Sequence, residues 1–286
     1  MELKVLLIGS TGFIGKQIHI EMLRQKWQVI ELNRGFSGGS GFLDGDQIRA
    51  LLNNEKFDCI ISTAWITSHD SYRKSEENLN FATATESLAF EARRCETPIF
   101  VALGSSAEYG ANNLEASSIN SVLIPVDQYS SSKINTFNAL TNIFKNSNTR
   151  FIWPRIFQPY GRGQDPNRFM PYLISSFAKQ TSPNIKNPYD KNDWINVTDV
   201  AKAIIFSINN LISGAVDVGT GIGTTNIDLA NSILRNMGSN KSFRPTISNV
   251  EIRGLVMSSQ SRLFDYGWSP TIELDFGIRD LIASKL

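Results

Sequence analysis

A phenol and an ammonium stand four residues apart in Tyr129-Ser130-Ser131-Ser132-Lys133. On a helix that spacing puts both groups on one face. A phenol has a pKa of ~10 and is a poor base at neutral pH. A neighbouring ammonium favours the phenolate and so tunes the group for proton exchange with an oxygen that becomes, or stops being, a carbonyl. The spacing alone is common by chance. It gains weight from Gly9-Ser10-Thr11-Gly12-Phe13-Ile14-Gly15, more than a hundred residues upstream, which follows the apolar run Val5–Ile8 and opens a helical pattern. Gly9 permits a tight turn, Gly12 lets backbone approach a pyrophosphate, and Gly15 lets the helix pack closely on the strand. The helix N-terminus adds amide donors and a positive dipole end. Thr11, Phe13 and Ile14 of this loop, with Ala64 after the third strand, complete the expected dinucleotide contacts. A glycine turn without a ligand is the plain alternative, and the strand–turn–helix context argues against it.

The end of the second strand bears on which dinucleotide is bound. An Asp or Glu there would accept from the adenosine ribose hydroxyls and repel a 2′-phosphate. The chain has Leu32-Asn33-Arg34-Gly35 instead. With no carboxylate at that place and a guanidinium beside Asn33, NADP is the expected cofactor, and NAD stays possible. Arg34 as a solvated loop residue is the competing reading. Asp44 is a candidate for the adenine amino group, or it holds its own loop.

These groups need a scaffold, and the apolar periodicity supplies one. Strands are expected at Lys4–Ile8, Gln28–Leu32, Asp58–Ser62, Ile99–Leu103 and Arg150–Trp153, with helices between them at Phe13–Gln25, Ile48–Asn53, Glu76–Cys95 and Tyr129–Asn146. Repeated β-α-β units predict a parallel, doubly wound Rossmann-type α/β sheet with a smaller C-terminal substrate-binding part. Residues 159–188 are rich in Pro and Gly and read as loops and short helices over a cleft. Beyond them lie a strand at Trp194–Val197, a helix at Thr198–Leu211 capped by Thr198, a strand at Ala215–Val218 and a helix at Asn226–Met237. The dinucleotide half is expected to take residues 1–153 and 194–219, and the substrate half residues 154–193 and 220–286.

Composition narrows the functional classes. A formal net charge of +1 over 286 residues offers no basic surface for nucleic acid. No apolar run approaches the ~20 residues of a membrane span. The first apolar run is too short for a secretory leader, so a cytoplasmic protein is expected. Two cysteines, Cys59 and Cys95, read as isolated thiols, a disulfide between them being the other option. The two histidines, His19 and His69, form no cluster with metal-ligand spacing, and no metal is expected.

With the segment Gly104-Ser105-Ser106-Ala107-Glu108-Tyr109-Gly110, which follows a sheet strand, the chain resembles the extended short-chain dehydrogenase/reductase family, also called the NAD-dependent epimerase/dehydratase family. The resemblance runs over nearly the whole sequence and includes Arg155–Gly161, Trp194–Val200, Val216–Gly221 and Tyr266–Pro270. It implies Ser105 as the catalytic hydroxyl, four residues before the Tyr of Tyr-Gly, with Tyr129 as proton carrier and Lys133 as its partner and ribose contact. It also implies a nucleotide-sugar substrate. Homodimers that pair through two helices, here Glu76–Cys95 and Tyr129–Asn146, are common in the family. Phe137, Leu140, Ile143 and Phe144 would then meet either the sheet or another subunit.

Departures from the pattern sharpen the expectation. Members that dehydrate sugars carry an Asp-Glu pair directly after the catalytic hydroxyl, where this chain has Ser106-Ala107. The usual Arg before Trp194 is replaced by the run Lys191-Asn192-Asp193. The leading reading is an NADP(H)-dependent reductase of a 4-keto nucleotide sugar. An NAD-dependent nucleotide-sugar 4-epimerase uses the same three residues, and retained NAD would favour it. A non-catalytic binding or regulatory module is the third reading, and the intact Tyr/Lys pair and glycine loop speak against it.

Overall fold

The structure, a computed structural model, describes residues 2–33, 41–66, 71–110, 120–245, 254–255 and 261–284. Arg34 therefore lies outside the described residues.

The first half alternates strand and helix: β1 (Lys4–Ile8), α1 (Phe13–Arg24), β2 (Gln28–Leu32), α2 (Gly45–Asn54), β3 (Cys59–Ser62), α3 (Glu77–Arg94), β4 (Ile99–Ala102), β5 (Gly104–Ser105), α4 (Gln128–Phe144) and β6 (Arg150–Ile156). The second half adds β7 (Gln158–Tyr160), α5 (Phe169–Ala178), β8 (Lys191–Asn196), α6 (Val197–Asn209), β9 (Gly214–Val218), β10 (Gly223–Thr225), α7 (Asn226–Asn236), β11 (Gly254–Leu255), α8 (Arg262–Asp265) and α9 (Leu274–Ala283).

Among the described residues the large sheet has seven strands, all parallel, running β2-β1-β3-β4-β6, with β5 and β9 also paired to β6. The chain leaves β1 toward β2 and returns to β3 on its other side. That switch opens a crevice at the carboxyl ends of β1 and β3, where ligands bind in such folds. Val5–Ile8, Cys59–Ile61, Phe100 and Val101 are almost fully buried because helices cover both faces. One face packs against α1 and α6 through Ile18, Met22, Val200 and Ile204. The other packs against α2, α3 and α4 through Ile48, Leu52, Phe81, Leu88, Leu140 and Phe144. Phe137 and Ile143 rest on that same cluster, so the apolar face of α4 is turned to the sheet.

Pro154 shapes the strand ends near the crevice. It has no amide to give a neighbour, and the β6 ladder toward β4 and β5 is interrupted beside it, running from Ile99 to Val101 and resuming at Gly104.

The smaller part has its own core, where Tyr160, Met170, Leu173, Trp194, Leu229, Ile233, Ile278 and Leu281 meet. Its four-stranded sheet joins β7, β8, β10 and β11. Two sequence expectations need correction here. The helix expected to be capped by Thr198 begins at Val197, and Asn196 caps it by accepting from the Thr198 amide at 2.9 Å. Residues 194–196 sit in β8 of the small sheet, whereas the α6 and β9 that follow belong to the large one. A single apolar strand does not reveal which of two sheets it joins, because both sheets offer it the same buried environment.

Candidate active site

A cleft of about 780 Å³ runs from the glycine loop, past the ends of β1, β3 and β5, to the small part. That volume lies in the range of small-molecule and cofactor sites. Its first half is lined by Gly9, Thr11, Gly12, Phe13, Ile14, Gly15, Asn33 and Ala64, and its middle by Ser105, Tyr129 and Lys133. Asp44 is not among the lining residues. Its carboxylate accepts from the Asp46 and Gln47 amides and caps α2, so the structure does not bring it into the cleft.

The glycine loop suits a pyrophosphate. Gly9 has φ +84°, and a Cβ on Gly15 would lie 2.1 Å from the Gly9 carbonyl oxygen, so the loop can only close over glycine. Gly12 is the N-cap of α1 and has no side chain to satisfy the first-turn amides, which are left for an anion. Asn33 ties the loop to the end of β2, donating to Ser10 Oγ at 2.8 Å and accepting from Ser10 Oγ at 3.1 Å. These residues fit the diphosphate and adenosine of a dinucleotide.

Tyr129 sits in the first turn of α4, where its amide has no partner within the helix and donates to the Arg73 carbonyl at 3.1 Å. Asp127 caps that turn, accepting from Ser130 N at 2.8 Å and from Arg73 Nη1 at 2.7 Å. The phenol ring is met edge-on by Tyr72 at 5.1 Å and by Trp65 at 6.5 Å between centroids. Lys133 is buried and donates to the Leu103 carbonyl at 2.7 Å.

Burial drives the electrostatics. It pushes the Tyr129 phenol well above its usual value, with the Ser105 hydroxyl pulling the other way. Burial pushes the Lys133 ammonium down to about 7, with Glu108 opposing the fall. Burial is the largest effect at the phenol. The ammonium turns to Trp65 and Leu103, and burial outweighs its field at the phenol. A phenol that keeps its proton is a proton donor.

Ser105 has two roles. Its hydroxyl accepts from the Ala107 amide at 3.2 Å, capping a short 3-10 turn, and it faces Tyr129 across the cleft. In that turn Glu108 is fully buried, accepting from Ser105 N at 2.8 Å and Arg155 Nε at 2.7 Å.

The substrate half of the cleft holds residues that the sequence reading passed over: Trp65, Tyr72, Arg73 and Arg168. The signal for the first three was their place just beyond β3, at the ligand end of the sheet. The signal for Glu108 was Ser105-Ser106-Ala107-Glu108, the spacing of a capping box.

Residues 5–219 match the model described as the NAD dependent epimerase/dehydratase family. The chain is 25% identical to a dTDP-4-dehydro-6-deoxyglucose reductase of Escherichia coli, with 98% of this chain and 96% of that protein covered. Its fold resembles that of Thermus thermophilus UDP-glucose 4-epimerase, solved in complex with NAD, with a TM-score of 0.82 at 19% identity over 98% of each chain. It also resembles the Thermotoga maritima UDP-glucose 4-epimerase solved with UDP-glucose, with a TM-score of 0.84 at 18% identity over 98% of this chain and 97% of that one. Among the described residues, no helix is long and apolar enough to cross a membrane.

Proposed function

The chain belongs to the NAD dependent epimerase/dehydratase family, and from that premise we propose that it is an NADP(H)-dependent reductase of a 4-keto nucleotide sugar. As a member of this family it is a nucleotide-sugar-modifying enzyme that uses a nicotinamide dinucleotide. The observation that carries the finer reading is the turn after Ser105. Water elimination needs an acid and a base beside the reacting sugar. Ser106 and Ala107 are neither, and the one carboxylate of the turn, Glu108, is buried against Arg155 and Trp153, away from any substrate. What remains is a hydroxyl, a protonated phenol and an ammonium, a set that serves carbonyl reduction and 4-epimerisation alike, and Arg34 beside Asn33, which suits NADPH, favours reduction.

Gly9, Gly12, Gly15, Asn33 and Lys133 would hold the cofactor, and Arg34 beside Asn33 suits a 2′-phosphate. When bound, the cofactor supplies the hydride. Tyr129 gives its phenolic proton to the substrate carbonyl oxygen, which becomes a hydroxyl. Ser105 hydrogen-bonds the same oxygen and stabilises the charge that builds on it. Lys133 would anchor the nicotinamide ribose, and its positive charge favours the phenolate that remains when Tyr129 has given up its proton. The test is turnover of a panel of 4-keto nucleotide sugars with NADPH and NADH, together with analysis of dinucleotide retained on purification. Reduction with NADPH supports the reading. Retained NAD with interconversion of 4-hydroxyl epimers would make the protein a 4-epimerase.

A further inference from the structure

Behind Ser105 lies a buried polar network that proton transfer by the three residues does not itself require. Glu108 has no solvent exposure. Its Oε1 accepts from Ser105 N at 2.8 Å and from Trp153 Nε1 at 3.0 Å, and its Oε2 accepts from Arg155 Nε at 2.7 Å. Arg155 Nη1 donates to the Tyr109 hydroxyl at 3.1 Å, and that hydroxyl donates to Asp217 Oδ1 at 2.7 Å. The backbone is shaped around the carboxylate. A Cβ on Gly104 would stand 2.3 Å from Trp153 Nε1 and 2.8 Å from Glu108 Oε1. One guanidinium thus serves two carboxylates, and the cluster is left with negative charge in excess. Lys133 is a further cation on this side of the cluster, its Nζ 5.7 Å from the ring centre of Trp153, the indole that donates to Glu108.

We propose that Glu108 is a positioning residue of the reaction centre: its buried carboxylate fixes the backbone that carries Ser105 and provides the counter-charge for the Lys133 ammonium. The proposal rests on the reading of Ser105, Tyr129 and Lys133 given above. The surroundings of Lys133 support it. The ammonium meets the Trp65 ring and the Leu103 carbonyl, and the small cavity that Lys133 lines is closed by the ends of β3 and β4, by Thr85 of α3 and by Trp153 of β6. None of these titrates at ordinary pH. Among the described residues, the titratable groups that act on it are Tyr129 on its own helix and Glu108, which Arg155 pairs. Glu108 works against the loss of the Lys133 proton, and it works against loss of the Tyr129 proton as well. Both effects keep the two groups in their protonated forms.

A buried ion pair that only held the turn together would leave the titration of Lys133 alone once the fold was kept. Glu108→Gln keeps shape and acceptor oxygen and removes the charge. Its buried Arg155 partner is then less well balanced, so Glu108→Gln/Arg155→Met, which removes both charges, is made beside it. The measurement is the pH dependence of Lys133 acylation by a small anhydride, read on the Lys133 peptide by mass spectrometry from about pH 5 to 10. It needs no substrate and no turnover, so it stays informative if the assigned reaction is wrong. The expected result is a Lys133 midpoint lower by about one pH unit or more in Glu108→Gln than in the native protein, and in Glu108→Gln/Arg155→Met than in Arg155→Met, so that the amine reacts several-fold faster near pH 6 than in the corresponding parent. On a reducible substrate, the alkaline limb of the kcat profile should move down in pH by the same interval. A Lys133 midpoint in a folded variant that coincides with that of its parent (native for Glu108→Gln, Arg155→Met for the double variant) would overturn the proposal. Turnover lowered by one factor at every pH, with no displaced limb, would overturn it too.

Discussion

The Lys133 ammonium lies 3.4 Å from the centre of the Trp65 ring, with the Leu103 carbonyl as its hydrogen-bond acceptor. An aromatic face and one carbonyl replace the water that a lysine would otherwise keep, so the charge stays in the cleft at a cost in solvation. The indole is itself held, donating from Nε1 to Asn78 Oδ1 at 2.7 Å. Asn78 in turn donates to the Tyr72 and Ser75 carbonyls, which fixes the loop carrying Tyr72 and Arg73.

Trp65 should therefore be more than packing. Trp65→Phe keeps a ring face for Lys133 and loses the bond to Asn78. Trp65→Leu loses both. We expect Leu to cost about 1–3 kcal/mol of stability and Phe distinctly less, by denaturant titration. Turnover should fall in the same order. Equal effects of the two substitutions would mean that the cation–aromatic contact contributes nothing.

Lys133 should cost stability where it helps chemistry. Its folded pKa, about 7, lies below the ordinary lysine value of 10.5. Between those values the unfolded chain binds the extra proton, so unfolding free energy rises as pH increases above about 7. Cys59, whose thiol burial pushes up, offsets the rise only above about pH 9. Lys133→Met should thus be more stable than the native protein at pH ~7, by on the order of 1–3 kcal/mol, and lose the rise between about pH 7 and 9. Thermal melts across that window decide the matter. A native protein with flat stability there would contradict the assigned burial of a charge.

Gly15→Ala places its methyl against the Gly9 carbonyl. Backbone cannot move aside as a side chain can, so the loop must open. We expect about 1–3 kcal/mol lower stability and loss of measurable dinucleotide binding by fluorescence titration. Normal cofactor affinity would show that the loop holds no pyrophosphate.

Arg34→Glu, with Asn33 left in place, should weaken NADPH by on the order of 1–3 kcal/mol while sparing NADH. Calorimetry with both dinucleotides reads the difference. Equal weakening, or none, would make Arg34 a solvated loop residue.

Much of this site was legible in the residues. The strands Lys4–Ile8 and Gln28–Leu32 have the expected bounds because their runs end at a glycine turn and at polar residues. The glycine loop, Ser105 and the Tyr129/Lys133 pair line one cleft, and each belongs to a short local pattern with a mechanical reason behind it. What was hidden depends on contacts across long separations. Arg155 meets Glu108 across 47 positions and Tyr109 meets Asp217 across 108, and no local spacing announces either pair. The turn of Lys133 toward Trp65 was hidden for the same reason. Periodicity reports which residues are buried and is silent about which of them a charge will face.

The central claim is that Tyr129 gives the proton in a carbonyl reduction, and Tyr129→Phe tests it most directly. The substitution keeps the ring that meets Tyr72 and Trp65 and removes the proton. Dinucleotide affinity and turnover are measured on the 4-keto nucleotide sugar that the native protein reduces. Affinity within about twofold of native, with turnover lower by roughly 10²–10⁴, is the predicted result. Near-native turnover by the Phe variant on that substrate would contradict the account.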